Sequence, residues 1–318
     1  MDMDQVILVT GGNGAIGQFV IEELATRGHT VVSLSRRPGE AMRGVTPAAA
    51  DVRDLSALIV LMNTHHVGCV IHLAALLLEC EADPHLGFAI NSLGTTNILE
   101  AARRTGVARV VNVGTKAAFG PFTGDWGYPT YRPVAEDHPQ QPIGMYGLSK
   151  KIGEEMAVYY RRRFGMEVVT VRFGTSSGPG RGARHGASVI TSAIIENAVK
   201  GIPTVIAQGG DEKDDIIYTR DVARGIVLAA ITPGLTQPAY HLGSGELITL
   251  HDLARAVISE IPQAQISIGP GLDYMGLGIG NYCLMSTALA RKELGFEPRY
   301  SLEEWVREYV GIVRSGRT

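Results

Sequence analysis

A glycine-rich turn between an apolar run and a helical pattern constrains this chain more than any other feature. Val6–Val9 form the run, residues 10–17 read Thr-Gly-Gly-Asn-Gly-Ala-Ile-Gly, and apolar residues then recur at helical spacing as far as Leu24. A strand, a glycine turn and a helix N-terminus form an anion site, because the backbone can approach a pyrophosphate and the first helical N–H groups point at it. A turn that binds nothing is the alternative. The residues predicted to bind a dinucleotide are Gly11, Asn13, Gly14, Ala15, Ile16 and Gly17.

Composition and charge argue against several classes of protein. The 318 residues are 45% hydrophobic and 19% charged, with a net charge of -3 that provides no basic field for nucleic acid. The first four residues are acidic where a secretory signal is basic, and the most apolar run, Cys69–Leu78, is too short to cross a bilayer. Three widely spaced cysteines indicate neither a disulfide framework nor a metal cluster. We therefore expect a cytoplasmic protein without a metal and without nucleic-acid or membrane partners.

Strand and helix signals alternate through the first half of the chain. This alternation predicts an α/β fold with a parallel sheet and helices on both faces. After about residue 174 glycine and proline become frequent, which predicts a second, smaller region over the carboxyl ends of the strands, where ligands usually bind. The predicted strands are Val6–Thr10, Thr30–Leu34, Cys69–Ala74, Ala108–Val113 and Glu167–Phe173.

The end of the second predicted strand bears on the choice of dinucleotide. Roughly 20 residues past the glycine turn, a dinucleotide fold places the group that reads the adenosine ribose. Here the residues are Ser35, Arg36 and Arg37 rather than an acid. Because a guanidinium suits a 2′-phosphate, this segment favours NADP over NAD, although both are compatible with it. A solvated basic turn is the alternative.

Two further segments fit a dinucleotide site. Asp51 follows the probable third strand and is predicted to contact the adenine amino group, whereas Asp54 is predicted to cap the next helix. His72 closes the fourth strand and is expected to be a packed core residue. The small side chains after it allow a flat cofactor to lie against the backbone at Leu73, Ala74 and Ala75.

Tyr146 and Lys150 are spaced for proton transfer. Four residues apart at the start of a helix, they share one face. A phenol with a pKa near 10 is a poor base, but a nearby ammonium and a positive nicotinamide ring favour the phenolate, and a lowering of about three pKa units needs roughly 4 kcal/mol. Tyr146 can then take the proton of an alcohol. Lys150 can also hydrogen bond to the nicotinamide ribose, so both residues are predicted to belong to the cofactor site as well. Thr115, at the end of the fifth strand, is the predicted third member, with a hydroxyl that holds the substrate oxygen.

Together these motifs resemble the extended short-chain dehydrogenases/reductases, the NAD-dependent epimerase/dehydratase family, over essentially the whole chain. Gly11, Gly14 and Gly17 match the family's glycine turn, and Tyr146 and Lys150 match its YxxxK motif. Further matches are Asp51 with Val52 at the adenine, residues 72–75 (HLAA), residues 91–97 with Asn91 at their head, Thr115 on the catalytic Ser/Thr, residues 215–223 and residues 294–298.

The resemblance implies a Rossmann doubly wound parallel sheet and a smaller C-terminal α/β substrate domain. The expected Rossmann domain covers residues 1–174 and about 215–245, and the substrate domain covers 175–214 and about 246–318. The family commonly dimerises through two helices per subunit, here about Leu86–Thr105 and Tyr146–Phe164. It also implies that Val52 and Asn91 belong to the cofactor site.

The chain departs from the family's sugar-nucleotide enzymes where they bind a diphosphate. Asp214 stands in place of one gripping arginine, a second has no counterpart in residues 273–278, and Thr175 replaces a substrate-binding asparagine. A diphosphate without fixed cations would be left with costly unpaired charge. The longer stretch between Gly120 and Ile143 carries Trp126, Tyr128 and Tyr131, which form either an aromatic lid or simple packing. Residues 76–78, all leucine, form either an apolar wall of the pocket or simple packing. The candidate substrate residues are Leu76, Thr115, Lys116, Thr175, Arg181, Arg184 and His185.

Three functions compete. The first is an NAD(P)-dependent oxidoreductase that interconverts a secondary alcohol and a ketone on a small, sugar-like or carboxylated substrate. The second is a nucleotide-sugar 4-epimerase or dehydratase with no net consumption of cofactor, in which Arg181 or Arg184 replaces the lost phosphate contacts. The third is a regulator that binds NADP without chemistry, against which the intact Tyr146 and Lys150 count.

Overall fold

A parallel sheet of seven strands organises the part of the chain that is described. The computed structural model describes residues 5–39, 42–181, 190–276 and 278–316. In chain order the strands are β1 Val6–Thr10, β2 Val31–Ser35, β3 Val45–Ala49, β4 Val67–His72, β5 Arg109–Val113, β6 Glu167–Phe173, β7 Thr175–Ser177, β8 Thr204–Ile206, β9 Lys213–Asp214, β10 Ile216–Tyr218, β11 Ala239–Leu242, β12 Ile248–Thr249 and β13 Ile266–Ile268. The main sheet has the order β11-β6-β5-β4-β1-β2-β3, with all neighbours parallel.

Helices connect these strands and cover both faces of the sheet. The α-helices are α1 Gly17–Thr26, α2 Leu55–Thr64, α3 Glu79–Ala82, α4 Pro84–Gly87, α5 Gly94–Thr105, α6 Met145–Phe164, α7 Ile190–Lys200, α8 Thr219–Ile231, α9 Leu250–Glu260 and α10 Leu302–Arg314. Segments with π-helical bonding occupy Phe88–Leu93 and Ala290–Leu294, and 3₁₀ turns occupy Lys116–Ala118 and Gly124–Trp126.

The apolar residues of each central strand alternate between two cores. Along β1, Ile7 and Val9 pack with α1 and α8, whereas Leu8 packs with α2 and α5 on the opposite face. Because both faces are covered, the strand reads as a continuous apolar run rather than as an alternating one. Each fully buried aliphatic side chain contributes about 1.5–3 kcal/mol.

A separate core lies outside the main sheet. It contains Ile194 of α7, Leu253 of α9, and Trp305 and Tyr309 of α10. The short strand pairs β7–β10, β8–β13 and β9–β12 belong to this part of the chain, whereas β11 returns to the edge of the main sheet. This distribution supports our proposal that the two domains divide near residue 174.

The predicted strands lie where expected, with shifted ends. Val6–Thr10 and Glu167–Phe173 are confirmed to the residue, and the other three predicted strands differ by one or two residues at one or both ends. β4, predicted as Cys69–Ala74, begins and ends two residues earlier than predicted. After His72 the Leu73 N–H is shared between the Thr10 carbonyl oxygen and the Thr10 hydroxyl, and the Ala74 N–H donates to that hydroxyl, each at 3.2 Å, so the backbone pairing with β1 ends there. In the described residues, no helix has the length and apolar character that a membrane span requires.

Candidate active site

A cavity of about 790 Å³ opens at the carboxyl edge of the main sheet. The chain passes from β1 to β2 and β3 on one side, and then crosses from β3 to β4 on the other side of β1. The strand order therefore reverses at this edge, which is where doubly wound folds bind their ligands. It runs from the end of β2 to the start of α6. The predicted residues that line it are Gly11, Asn13, Gly14, Ala15, Ile16, Gly17, Ser35, Arg36, Arg37, Asp51, Val52, Leu73, Ala74, Ala75, Leu76, Tyr146, Lys150 and Arg181.

The glycine turn is tight because side chains are excluded from it. Gly11 has φ +70°, and a Cβ there would lie 2.9 Å from the Ala74 nitrogen. A Cβ on Gly17 would lie 2.2 Å from the Gly11 carbonyl oxygen. Ile16, the N-cap of α1, offers no side-chain acceptor to the first helical N–H groups. These donors and the helix dipole favour an anion at the mouth of the turn, so the turn fits the pyrophosphate of a dinucleotide.

Asn13 ties this turn to the basic segment after β2. Its Nδ2 donates to the Arg37 carbonyl oxygen at 2.8 Å, and its backbone N–H donates to the Ser35 Oγ at 3.4 Å. Arg36 and Arg37 are exposed at the cavity. Two guanidinium groups thus stand where the adenosine ribose of a bound dinucleotide would lie.

Asp54 caps α2, as predicted, by accepting a hydrogen bond from the Ala57 N–H at 3.0 Å. Asp51 lines the cavity and pairs with Arg53 at 2.6 Å, and this hydrogen-bonded guanidinium lowers the pKa of Asp51. Asp51 is therefore ionised at neutral pH, the form that accepts from an adenine amino group.

The cavity narrows toward Tyr146 and Lys150. Tyr146 lies in the first turn of α6, and the Thr115 side chain is close enough to its hydroxyl to oppose the rise in the pKa of Tyr146. Thr115 also accepts from the Ala117 N–H at 3.2 Å, which orients its hydroxyl at the start of a 3₁₀ turn. Thr115 itself is buried beside the cavity rather than on its surface. The structure thus brings all three residues of the predicted constellation together.

The pKa shifts of Tyr146 and Lys150 differ from our prediction in one respect. Burial raises the pKa of Tyr146, and the groups that oppose this shift are Thr115 and the Arg181 guanidinium. Burial also lowers the pKa of Lys150 to about 8. The chain alone therefore does not make Tyr146 acidic, and Arg181, which was predicted to bind the substrate, supplies positive charge to Tyr146 as well.

Arg181 lies at the cavity wall close to the pair. Its Nε is buried and has no hydrogen-bond partner among the described residues, and burial lowers its pKa. Arg184 and His185, the other two predicted anion-binding residues, lie outside the described residues.

Asn91 corrects one of our predictions. It lies behind the cavity wall, in the π-helical segment, and is 1% exposed. Its Oδ1 accepts from the Leu76 N–H at 2.8 Å, and its Nδ2 donates to the Leu76 carbonyl oxygen at 2.9 Å and to the Ser149 Oγ at 3.0 Å. The side chain thus holds the Leu76 segment against α6 and does not face the dinucleotide site.

His72 is a structural residue, as expected. The Thr10 hydroxyl accepts from Leu73 and Ala74, so its own proton is available to His72 Nδ1 at 2.7 Å. His72 Nε2 then donates to the Thr95 hydroxyl at 3.1 Å. Burial lowers the pKa of His72 to about 3, which keeps the ring neutral.

Asp214 is the centre of a buried polar cluster. Its carboxylate binds Lys116 Nζ at 2.6 and 2.8 Å. It also accepts from the Thr175 hydroxyl at 2.5 Å and from the Tyr274 hydroxyl at 2.9 Å. Asp214 is 0% exposed. Lys116 and Thr175 are therefore bound to Asp214 rather than directed at the cavity, in contrast to our prediction for both.

The aromatic residues of the long segment before α6 do not form a lid. Tyr131 is buried and hydrogen bonds to Glu212, and Trp126 packs on His138 with ring centroids 4.9 Å apart. Tyr128 is exposed. Of the proposed apolar wall, Leu76 and Leu77 line the cavity, whereas Leu78 is exposed.

Several cavity residues carry no motif and were missed. Ile90, Val113 and Phe173 line the reactive end of the cavity. Val113 is the last residue of β5, and Phe173 is the last residue of β6. Position at a strand end is therefore the signal that could have identified them.

The chain resembles proteins of one family over most of its length. Residues 7–243 match the NAD dependent epimerase/dehydratase family. A putative UDP-glucose 4-epimerase of Methanocaldococcus jannaschii is 31% identical over 262 residues, covering 80% of this chain and 82% of that protein.

Solved structures agree with this match. The Thermus thermophilus UDP-glucose 4-epimerase, in complex with NAD, superimposes with a TM-score of 0.83 at 27% identity over 98% of this chain and 99% of that one. An L-threonine dehydrogenase from Cupriavidus necator gives a TM-score of 0.83 at 26% identity over 96% of this chain and 98% of that one. With the glycine turn, the Tyr146–Lys150 pair and the seven-stranded sheet, these matches show that the chain is an enzyme of the NAD-dependent epimerase/dehydratase family, an extended short-chain dehydrogenase/reductase.

Proposed function

We propose that this enzyme is an NAD(P)-dependent oxidoreductase that interconverts a secondary alcohol and a ketone on a small, sugar-like or carboxylated substrate. The Tyr146–Lys150 pair beside Thr115 supports the chemistry, and the buried Asp214 cluster supports the small substrate. The relatives include L-threonine dehydrogenases, so the fold accommodates dehydrogenases named for a small hydroxylated substrate.

Each residue of the constellation has a separate task. Thr115 donates to the substrate oxygen and holds it against the Tyr146 hydroxyl. In oxidation Tyr146 takes the hydroxyl proton while the carbon loses hydride, and in reduction it returns the proton to the forming alkoxide. A bound nicotinamide supplies the hydride acceptor or donor. The Arg181 guanidinium opposes the rise in the pKa of Tyr146. We propose that the Lys150 ammonium, one helical turn away, favours the phenolate as well.

The surroundings of the Asp214 carboxylate favour a substrate without a diphosphate. Asp214 occupies the position at which the family's sugar-nucleotide enzymes have an arginine that binds the diphosphate. Its two carboxylate oxygens accept six hydrogen bonds, from Lys116 (twice), Thr175, Tyr274 and two backbone N–H groups. In this cluster of described residues a diphosphate would find no free cation, because the Lys116 ammonium is already paired with the Asp214 carboxylate and the pair is neutral overall.

A thermal-shift experiment tests the substrate class. UDP, dTDP, GDP or ADP is added at millimolar concentration to protein saturated with NADP, so that ADP cannot act through the adenine site. A ligand that binds only the folded protein stabilises it by RT ln(1 + [L]/Kd), and a nucleotide present at 100 Kd adds about 2.7 kcal/mol. We expect no shift in Tm, and a shift with one nucleotide contradicts the small-substrate assignment.

A nucleotide-sugar 4-epimerase or dehydratase is the second candidate. The relatives favour it, because UDP-glucose 4-epimerases match nearly the whole chain and a dTDP-glucose 4,6-dehydratase matches 98% of it. In this case Arg181 or Arg184 must bind the diphosphate. Turnover of a UDP- or dTDP-sugar without a net change in nicotinamide absorbance would establish it.

We further propose that NADP is preferred to NAD. Ser35, Arg36 and Arg37 close β2 without a carboxylate to accept from a 2′-hydroxyl, and both guanidinium groups are accessible to a 2′-phosphate.

The variant Arg36→Ala/Arg37→Ala tests this preference. A charge-assisted hydrogen bond contributes about 1.5–3 kcal/mol, so the Kd for NADP is expected to rise by about 10- to 100-fold while the Kd for NAD stays unchanged. Fluorescence titration measures both. Arg43→Ala, an exposed arginine that does not line the cavity, is the control for charge. Equal wild-type Kd values for the two dinucleotides would refute the preference.

We also propose a homodimer. The outer faces of the π-helical segment and α6 expose large apolar side chains, and an apolar surface of this kind is typical of an interface. Light scattering on the intact chain tests this, and a monomer would contradict it. The side chains are Phe88, Leu93, Leu148, Tyr159 and Phe164.

A further inference from the structure

Glu154 shares the buried face of α6 with the catalytic pair. It follows Lys150 by four residues and Tyr146 by eight, so all three project from one side of the helix. Lys150 and Glu154 are each only 4% exposed. A carboxylate is therefore buried one helical turn behind the ammonium on which the chemistry depends.

The two oxygens of Glu154 have different surroundings. Oε2 accepts from Arg172 Nε at 2.9 Å, from Arg172 Nη2 at 2.8 Å and from Gln140 Nε2 at 2.7 Å. Oε1 is buried and has no hydrogen-bond donor in the described part of the chain. Because burying a carboxylate oxygen without a donor is costly, an acid at this position points to a role beyond its pairing with Arg172.

Oε1 lies against the end of β5, at the reactive end of the cavity. A Cβ built on Gly114 would be 2.3 Å from Oε1, so only glycine leaves room for the carboxylate. Gly114 lines the cavity together with Tyr146 and Lys150. The open side of the carboxylate therefore faces the region that contains the Lys150 ammonium.

The charges around Lys150 single out Glu154. Burial lowers the pKa of Lys150 to about 8, and Glu154 opposes this shift more than Cys80 does. Burial raises the pKa of the Cys80 thiol, so the thiol is neutral at pH 7, and His72 on β4 is neutral as well. Tyr146 is a neutral phenol in the protein without cofactor. Among these neighbours, Glu154 alone provides a full negative charge.

We propose that Glu154 is a positioning residue that keeps Lys150 in its ammonium form at the dry end of the cavity. The carboxylate acts through Lys150 and does not touch the substrate, and its bonds to Arg172 and Gln140 hold it in place. The consequence for catalysis rests on the proposed function, because the ammonium favours the Tyr146 phenolate. The effect of Glu154 on the protonation of Lys150 does not depend on the proposed function.

Lysine titration by NMR tests the proposal directly. The chain has six lysines, so the 13Cε signals of ¹³C-lysine-labelled full-length protein can be resolved, and the Lys150 signal is the one lost in Lys150→Arg. In Glu154→Gln, without added dinucleotide, the Lys150 midpoint is expected to fall by about two pH units, as for charges about 6 Å apart, one helical turn, in a medium of effective dielectric constant about 20. An unchanged midpoint in the folded variant overturns the proposal.

Two further variants keep the test decisive. Gln140→Ala removes a neutral donor to Glu154 Oε2 and leaves the charge in place, so the midpoint is expected not to move. If Glu154→Gln does not fold because Arg172 loses its partner, Glu154→Gln/Arg172→Met removes the buried pair as a unit. The Lys150 midpoint is expected to fall in this double variant too, because Arg172 is not among the groups that shift the pKa of Lys150. An unchanged midpoint again refutes the positioning role of Glu154. An enzyme inactive on every substrate tried would count against the proposed function and leave this titration valid.

Discussion

Replacement of Tyr146 by Phe is expected to lower kcat by about 100- to 10,000-fold, the contribution typical of a positioned general acid–base. The phenyl ring keeps the packing of the first turn of α6, while the proton acceptor disappears. The hydroxyl faces Thr115 and the reactive end of the cavity, whereas the glycine turn and the Arg36–Arg37 segment lie at the other end. The Kd for the dinucleotide is therefore expected to stay nearly unchanged.

The measurement is nicotinamide absorbance on a panel of hydroxy acids, sugar acids and ketones, with fluorescence titration of the dinucleotide. Tyr128→Phe is the matched control, because the Tyr128 side chain is exposed and does not line the cavity. Full activity in the Tyr146 variant would exclude Tyr146 as the acid–base. Loss of dinucleotide binding would instead indicate a structural role for its hydroxyl.

Replacement of Asp214 by Leu is expected to destabilise the fold by about 3–5 kcal/mol, because it leaves the Lys116 ammonium buried without its counter-charge. Lys116 and Asp214 are 98 residues apart in sequence, and their side chains are 7% and 0% exposed. The second substitution, Lys116→Met, removes the stranded charge. We expect it to recover about 1–3 kcal/mol in the Asp214→Leu background, the usual range of coupling between residues in contact.

Urea unfolding of the two single variants and the double variant measures this coupling. Recovery will be incomplete, since Thr175, Tyr274 and two backbone N–H groups still lose an acceptor. Arg291→Ala is the control, because its ion pair with Glu297 is exposed on both sides and is expected to contribute less than about 1 kcal/mol. A double variant whose loss of stability equals the sum of the two single losses would show that the two charges are not coupled.

The features that could be predicted from the sequence are those in which chain neighbours act together. The strand, turn and helix of residues 6–26 were predictable because a glycine turn between two apolar patterns restricts the backbone locally. The Asp54 cap and the four-residue spacing of Tyr146 and Lys150 depend on helical geometry alone. The parallel sheet followed from the alternation of strands and helices. Apart from the pairing of the strands, the interacting residues in these features lie within a few turns of one another.

The electrostatic environment of the site depended instead on contacts between distant segments. The side chain of Asn91 turns to Leu76 and Ser149, the Asp214 carboxylate captures Lys116, and Arg181 reaches the neighbourhood of Tyr146. The position of Glu154 behind Lys150 was visible as a helical spacing, but its burial, its bond to Arg172 on β6 and its open oxygen were not. Local backbone geometry has a short period that a sequence displays. The burial of a charge, and the partner it finds, depend on how segments many residues apart pack, and this is why only the tertiary structure revealed them.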